Sequence, residues 1–187
     1  MTREEFIEVL EEEGYRYKIE GDKLVVTRGD RRGNVRFYRL DRRGDSRLYS
    51  LKTLPPGVVF MNNGNVGLNF LETLPPGVEF RNEGDVALNS LETISPDVEF
   101  KNGGNVHLNS LKTLPPGMVF KNGGHKYGGN VDLDSLKTIP PDSKFDNEGR
   151  VYLPSLVREG FKDWSGNIEG VDSKRLLKFM ISKGVFI

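Results

Sequence analysis

The amino-acid sequence predicts a mainly β fold, a parallel β-solenoid of about six coils of twenty residues, capped by an N-terminal helix plus hairpin and by a C-terminal helix. Three observations carry this expectation. The chain repeats itself: GNVGLNFLETLPPGVEFRNE from Gly64, GDVALNSLETISPDVEFKNG from Gly84 and GNVHLNSLKTLPPGMVFKNG from Gly104. Within a unit the apolar residues alternate, Val66 with Leu68 and Val78 with Phe80, which is strand spacing and not helix spacing. Between the two runs, Pro75-Pro76 forbids helix and holds the connection extended.

The elements follow along the chain. Thr2 and Glu5 form a capping box, and Phe6, Val9 and Leu10 give the helix an apolar stripe that ends before Gly14. Tyr15, Tyr17 and Ile19 alternate, Gly21-Asp22 turns, and Leu24 and Val26 continue, so a hairpin leads onto a first irregular rung at Val35 and Phe37. Units then start at Gly44, Gly64, Gly84, Gly104, Gly129 and Gly149, and the register slips once, at 124–128. The inward set is two strands and two corners per coil, with Leu71 and Leu74 at the corner. Asn62, Asn82, Asn102, Asn122 and Asn147 recur two residues after the strand, where stacked amides would bond each other and satisfy the turn carbonyls. The threonines at 53, 73, 93, 113 and 138 are expected to do the same at the corner. At the far end Asp172 reads as an N-cap, Leu176, Leu177, Met180 and Ile181 as the buried face of a helix stopped by Gly184, and Trp164 as the cover of the last rung. The organisation is therefore 1–43 as an N-terminal cap with an Arg-rich segment, 44–157 as repeats with a five-residue insertion at 124–128, and 158–187 as a C-terminal cap.

Composition narrows the function. Lys+Arg and Asp+Glu each number 27, so the formal charge is zero, which argues against an overall basic nucleic-acid binder or an acidic mimic. Without cysteine there is no disulfide framework, thiolate nucleophile or Cys-ligated zinc. The start, MTREEFIEVLEEEG, has no apolar core of signal-peptide length, and no apolar run approaches the ~20 residues of a membrane span. The expectation is a cytoplasmic protein with no membrane partner and no cofactor. Two histidines and scattered acids make no metal cluster, and the glycines recur with the repeat instead of forming a phosphate-binding motif.

The units resemble the short leucine-rich repeats of bacteria in their length and their leucine-proline corner, Leu74-Pro75 and Leu114-Pro115. Here V-x-L-x-x-L-x-x-L-P replaces the L-x-L-x-x-N-x-L spacing, and the Asn precedes the strand. They are more similar to the GNVxLxSLxxLPxGVxF repeat proteins of bacterial and phage sequences, whose tails resemble the stretch from Trp164 to Leu177. What the resemblance implies is a recognition scaffold, with a phage or mobile-element inhibitor of a host factor as one form of it.

Three candidate binding regions stand out. The segment 28–47 carries eight arginines, Arg28, Arg31, Arg32, Arg36, Arg39, Arg42, Arg43 and Arg47, against three aspartates, a local balance of +5. Its guanidinium forks suit phosphate or carboxylate, unless the glutamates of the N-terminal helix neutralise them. The insertion places His125, Lys126 and Tyr127 in a loop outside the stack. Stacking also aligns outward columns: Arg47, Gly67, Ala87, His107, Asp132 and Tyr152, with Tyr49, Asn69, Asn89, Asn109, Asp134 and Pro154 beside them. Gly67 and Ala87 would leave a flat strip, and Phe70 joins the same partner-facing set. His107 beside Asp132 has the form of a general-base pair, but no nucleophile accompanies it. On the other face, Glu79 and Glu99 beside Arg81 and Lys101 suggest paired charge, while Val59, Met61, Met118 and Val119 suggest contact patches.

The expected function is non-enzymatic recognition of a macromolecule, a protein partner first. The alternative is nucleic-acid binding through segment 28–47. A repeat scaffold suits the first, since outward columns vary while the inward set stays fixed.

Overall fold

The computed structural model describes residues 1–29, 31–36, 51–124, 129–140, 142–155 and 171–172. Among these the protein is mainly β, with one short helix and parallel strands gathered into sheets. No helix among the described residues is long and apolar enough to cross a membrane. Trp164, the expected C-terminal helix and the loop 125–128 lie outside the described residues.

Helix α1 (Arg3–Glu12) starts at the Thr2 capping box: the Thr2 amide donates to Glu5 Oε2 at 2.8 Å and the Glu5 amide to Thr2 Oγ1 at 3.1 Å. It ends at Gly14, whose φ of 68° lets the Tyr15 amide reach the Leu10 carbonyl and the Gly14 amide the Glu11 carbonyl. Phe6 and Leu10 are its buried face, and they join the main core.

The strands are short. In chain order they are β1 (Arg16–Glu20), β2 (Lys23–Arg28), β3 (Val35–Arg36), β4 (Val58–Phe60), β5 (Val66–Gly67) and β6 (Thr73–Leu74). Next come β7 (Glu79–Phe80), β8 (Val86–Ala87), β9 (Thr93–Ile94), β10 (Glu99–Phe100) and β11 (Val106–His107). The last are β12 (Val119–Phe120), β13 (Val131–Asp132), β14 (Lys144–Phe145), β15 (Arg150–Tyr152) and β16 (Val171–Asp172).

Two seven-stranded sheets result. The first runs β1-β2-β4-β7-β10-β12-β14, antiparallel only at the β1–β2 hairpin. The second runs β16-β15-β13-β11-β8-β5-β3, antiparallel only at β15–β16. Asp172 thus sits in strand β16 at the edge of the second sheet, and the helix expected to start from it lies outside the described residues. Strand β1 occupies an edge of the first sheet and carries Arg16, Lys18 and Glu20. Ile19, the last of the alternating apolar set, is 58% exposed there. Charged side chains on an outermost strand discourage a further strand from adding.

A third, two-stranded sheet pairs β6 with β9, and a Thr113–Thr138 bridge continues it. The corner expected between the two main strands is therefore itself paired. Thr73, Thr93, Thr113 and Thr138 are exposed on it and line a surface, while Thr53 Oγ1 donates to the Leu54 carbonyl at 3.3 Å. Leu74 and Leu114 are buried beside them.

The core lies between the two large sheets, in columns of like residues. Val66, Val86, Val106, Val131 and Val151 form one, and Leu68, Leu88, Leu108, Leu133 and Leu153 another, each 0–1% exposed. Phe60, Phe80, Phe100, Phe120 and Phe145 stack ring on ring, with centroids 5.1–5.3 Å apart and planes within 16°. That spacing follows from the separation of paired strands, about 4.8 Å. Met118 continues the buried column of Val58, Val78 and Val98, and Val59 is 2% exposed, so neither belongs to the contact patch expected of them. Met118 faces the core, and Val59 lies in register between Val25 and Glu79.

Two asparagine ladders hold the turns. Asn82 Nδ2 donates to the carbonyls of Gly64 and Gly84 at 3.0 Å, and Asn102 and Asn147 repeat the pattern. The amides do not bond each other as expected: the Oδ1 atoms of Asn62, Asn82, Asn102, Asn122 and Asn147 are buried without a partner. Both amide hydrogens are already spent on main-chain carbonyls. The second ladder was not anticipated. Oδ1 of Asn34 accepts from the Asn65 amide, Asn65 from Asp85, Asp85 from Asn105, Asn105 from Asn130, and Asn130 from Arg150, at 2.7–3.0 Å. The glycine before each member is required: a Cβ at Gly84 would lie 2.2 Å from Asn65 Oδ1 and 2.8 Å from the Gly64 carbonyl carbon.

Candidate functional site

Parallel pairing sets one row of outward residues across the second sheet. Gly67 pairs with Ala87, Ala87 with His107, His107 with Asp132, and Asp132 with Tyr152. The head of the row differs from expectation. Gly67 is opposite Arg36, not Arg47, because β3 supplies the neighbouring strand through Val35–Val66 pairing. Arg47 and Tyr49 lie outside the described residues, as do Arg39, Arg42, Arg43, His125, Lys126 and Tyr127.

The accessible part of this row is also narrower than the sequence suggests. Gly67 is buried, since it has no side chain to rise above strands hydrogen-bonded on both of its sides; Ala87, His107, Asp132 and Tyr152 are half-buried. Phe70 stands beyond β5, outside the row, and is 41% exposed. The adjoining Asn69 and Asn89 serve the turn, with the Asn89 amide donating to Asn69 Oδ1 at 3.1 Å.

The electrostatic centre of the row is His107. Its Nδ1 lies 2.6 Å from Asp132 Oδ2. The hydrogen bond to Asp132 raises its pKa above 6.5; burial works the other way, and the charges of Asp132, Asp85 and Asp134 add to the rise. Asp134, raised first by burial and then by Asp132, completes an acidic rim. Carboxylates around a histidine favour its protonated form, and so favour its use as an ion-pair partner over its use as a proton acceptor. No group of three or more metal-ligating side chains occurs among the described residues.

The outer face of the first sheet is different in kind. Val59, Glu79, Glu99, Val119 and Lys144 are in register across it. Glu79, 6% exposed, is clasped by Lys23 and Arg81, and Glu99 by Lys101. Burial alone would raise the Glu79 pKa, but the Lys23 hydrogen bond and the Arg81 and Lys23 charges outweigh it and hold the carboxyl below 4.5. This face satisfies itself, as the alternating charges predict.

Arg31 and Arg32 are exposed on the turn between β2 and β3, next to Arg28. The helix glutamates expected to neutralise this segment are engaged elsewhere in part: Glu5 caps α1, and Glu11 accepts from the Tyr17 hydroxyl at 2.7 Å. Asp85, which acts on His107 while holding the Asn105 amide, was missed by sequence reasoning; its Gly-Asx-Val setting at the start of a unit was the available signal. Comparison with known proteins finds no matching family model, no matching curated protein and no matching solved structure.

Proposed function

We propose that the chain is a β-solenoid of about six twenty-residue coils, kin to the short leucine-rich-like repeats it resembles, and that it binds a protein partner without catalysis. The binding surface is the outer row of the second sheet, from Ala87 through His107 and Asp132 to Tyr152. One observation carries this reading. Along paired strands the inward residue is Val five times over, at 66, 86, 106, 131 and 151, while the outward residue runs Gly, Ala, His, Asp, Tyr. Invariance inside with free variation outside is how a repeat scaffold tailors a recognition surface. The row also mixes an aromatic ring, a carboxylate and an imidazole, which suits recognition of protein side chains better than recognition of a phosphate backbone. An inhibitor of a host factor is the form that the phage resemblance suggests.

The test is capture from source-cell lysate, with and without nuclease, using the native chain and Ala87→Arg and Tyr152→Ala variants. A discrete protein band that survives nuclease and disappears with either variant is the expected result. Recovery of nucleic acid that is lost with Arg28→Ala and Arg31→Ala would replace this reading with the basic-segment one. That second reading is favoured by one observation: neither arginine forms an ion pair among the described residues.

A further inference from the structure

The third sheet carries a face that breaks the pattern of the second. The outward row from Gly67 to Tyr152 changes at every coil, but here Thr73, Thr93, Thr113 and Thr138 are all exposed and all alike. Constancy at exposed positions has no burial to explain it. Strand β6 pairs Thr73 with Thr93 across β9, and the isolated bridge pairs Thr113 with Thr138. Between these two pairs the twenty-residue register is kept by Ala87–His107 and Phe100–Phe120, so the four threonines form one row.

A row of charge runs beside it: Lys52, Glu72, Glu92, Lys112 and Lys137. Main-chain bonds stack its members. The Glu72 and Thr73 amides both donate to the Lys52 carbonyl, the Glu92 and Thr93 amides to the Glu72 carbonyl, and the Lys137 amide to the Lys112 carbonyl, at 2.9–3.2 Å. Lys52 already reaches Glu72 at 2.5 Å within the chain. From Glu72 to Lys137 the signs run minus, minus, plus, plus. Glu92 and Lys112, at the centre, are exposed, and neither is in an ion pair among the described residues.

A row with this order of signs is complementary to its own reverse. Consider a two-fold axis lying in the face, along the strands, midway between Glu92 and Lys112. It turns the stack end for end and sets Glu92 against Lys112 of a second copy, and Glu72 against Lys137. It also sets Thr93 against Thr113 and Thr73 against Thr138, where each hydroxyl can both donate and accept. The spacings match because both copies are built on the same separation of paired strands, about 4.8 Å. We propose that this face binds a second copy of the chain, as a two-fold dimer. Its four rungs span only about 14 Å, which makes the pair weak and concentration-dependent and not obligate. Exposed charges of this kind set register and choice of partner more than affinity. The dimer uses none of Ala87, His107, Asp132 and Tyr152, so it stands apart from the recognition surface above.

Sedimentation of the full chain over a range of concentrations tests it, with charge reversals at the centre of the row. Glu92→Lys brings like charges together across the axis, and so does Lys112→Glu. Either variant alone should associate about tenfold more weakly than the native chain, or worse. An equimolar mixture of the two should recover to within about threefold of the native chain, because opposite signs then meet on both sides of the axis. Pairing inside one chain cannot produce that recovery. Both positions are exposed, so the melting temperature of dilute, monomeric samples should not move. A native chain that stays monomeric up to about 1 mM would overturn the proposal and leave the face to a partner of another kind. So would association that both reversals leave intact, or a mixture no better than its components, either of which would place the contact elsewhere.

Discussion

The middle of the first sheet and its far end use the same hydrogen bonds and different side chains. In the middle, Val98, Phe100 and Asn102 are all buried, and Phe100 has a stacked ring on each side. At the end, Ser143 replaces the valine, Phe145 is half-buried, and a stacked ring, Phe120, lies on one side of it. Yet the Lys121 amide meets the Phe100 carbonyl and the Asp146 amide the Phe120 carbonyl at the same 2.9 Å. Asn102 and Asn147 both donate to two turn carbonyls. The difference teaches that main-chain pairing and the asparagines set the register, while apolar packing sets how strongly each segment is held.

Replacing one ring at each place gives the largest contrast. Phe100→Ala removes a fully buried ring from the centre of the stack and should cost about 3–5 kcal/mol in urea unfolding. Phe145→Ala should cost less than half of that, and equal losses would break the comparison. The asparagines should behave alike where the phenylalanines do not. Asn102→Ala and Asn147→Ala each strip a donor from two turn carbonyls, at about 1–3 kcal/mol apiece. A large difference between these two would mean that register is not held in the same way at both places.

Ser143→Val sharpens the contrast by erasing part of it. The Ser143 hydroxyl is buried without a partner, and valine is what the column carries at 58, 78 and 98. The substitution should raise stability by about 1 kcal/mol. The smallest effect is one of pH. The Glu79 pKa is lowered on folding, so its clasp stabilises the fold above the unfolded value of 4.5 and is lost as pH falls through the folded one. Glu79→Gln should flatten this acid limb in melting curves from pH 6 to pH 3, whereas Lys144→Gln, at the same place in the end strand, should leave it as it was.

Much of this was readable in advance for a physical reason. Alternating Val, Leu and Phe at a fixed period can satisfy burial in only one register, so the inward columns follow directly from spacing. The start of the stack was harder. Gly44-Asp45 and Leu48 imitate a unit, but Gly33-Asn34-Val35 makes the actual pairing with Gly64-Asn65-Val66. The Gly-Asn-Val trio proved a better marker than the period, because Asn34 Oδ1 accepts from the Asn65 amide and only a glycine at 64 leaves it room, a Cβ there falling 2.6 Å from that oxygen. The amide column was misread because the direction of an amide hydrogen bond is settled by neighbouring carbonyls, which leave no trace in spacing. The outward row was legible as a row, and the burial of Gly67 was not.

The strands count partners and not residues. Asn34 reaches the amide thirty-one positions on, Asn65 twenty, and Asn105 twenty-five, by the same bond. Chain length is therefore a free variable at two places, between β3 and β4 and between Gly124 and Gly129. Between β3 and β4 that freedom stops before Leu51 and Leu54, which are buried in the core beside a Lys52 carbonyl that accepts from the Glu72 amide. Between Gly124 and Gly129 a lineage could change the length, and an engineer could splice in a peptide epitope as cargo on the same frame.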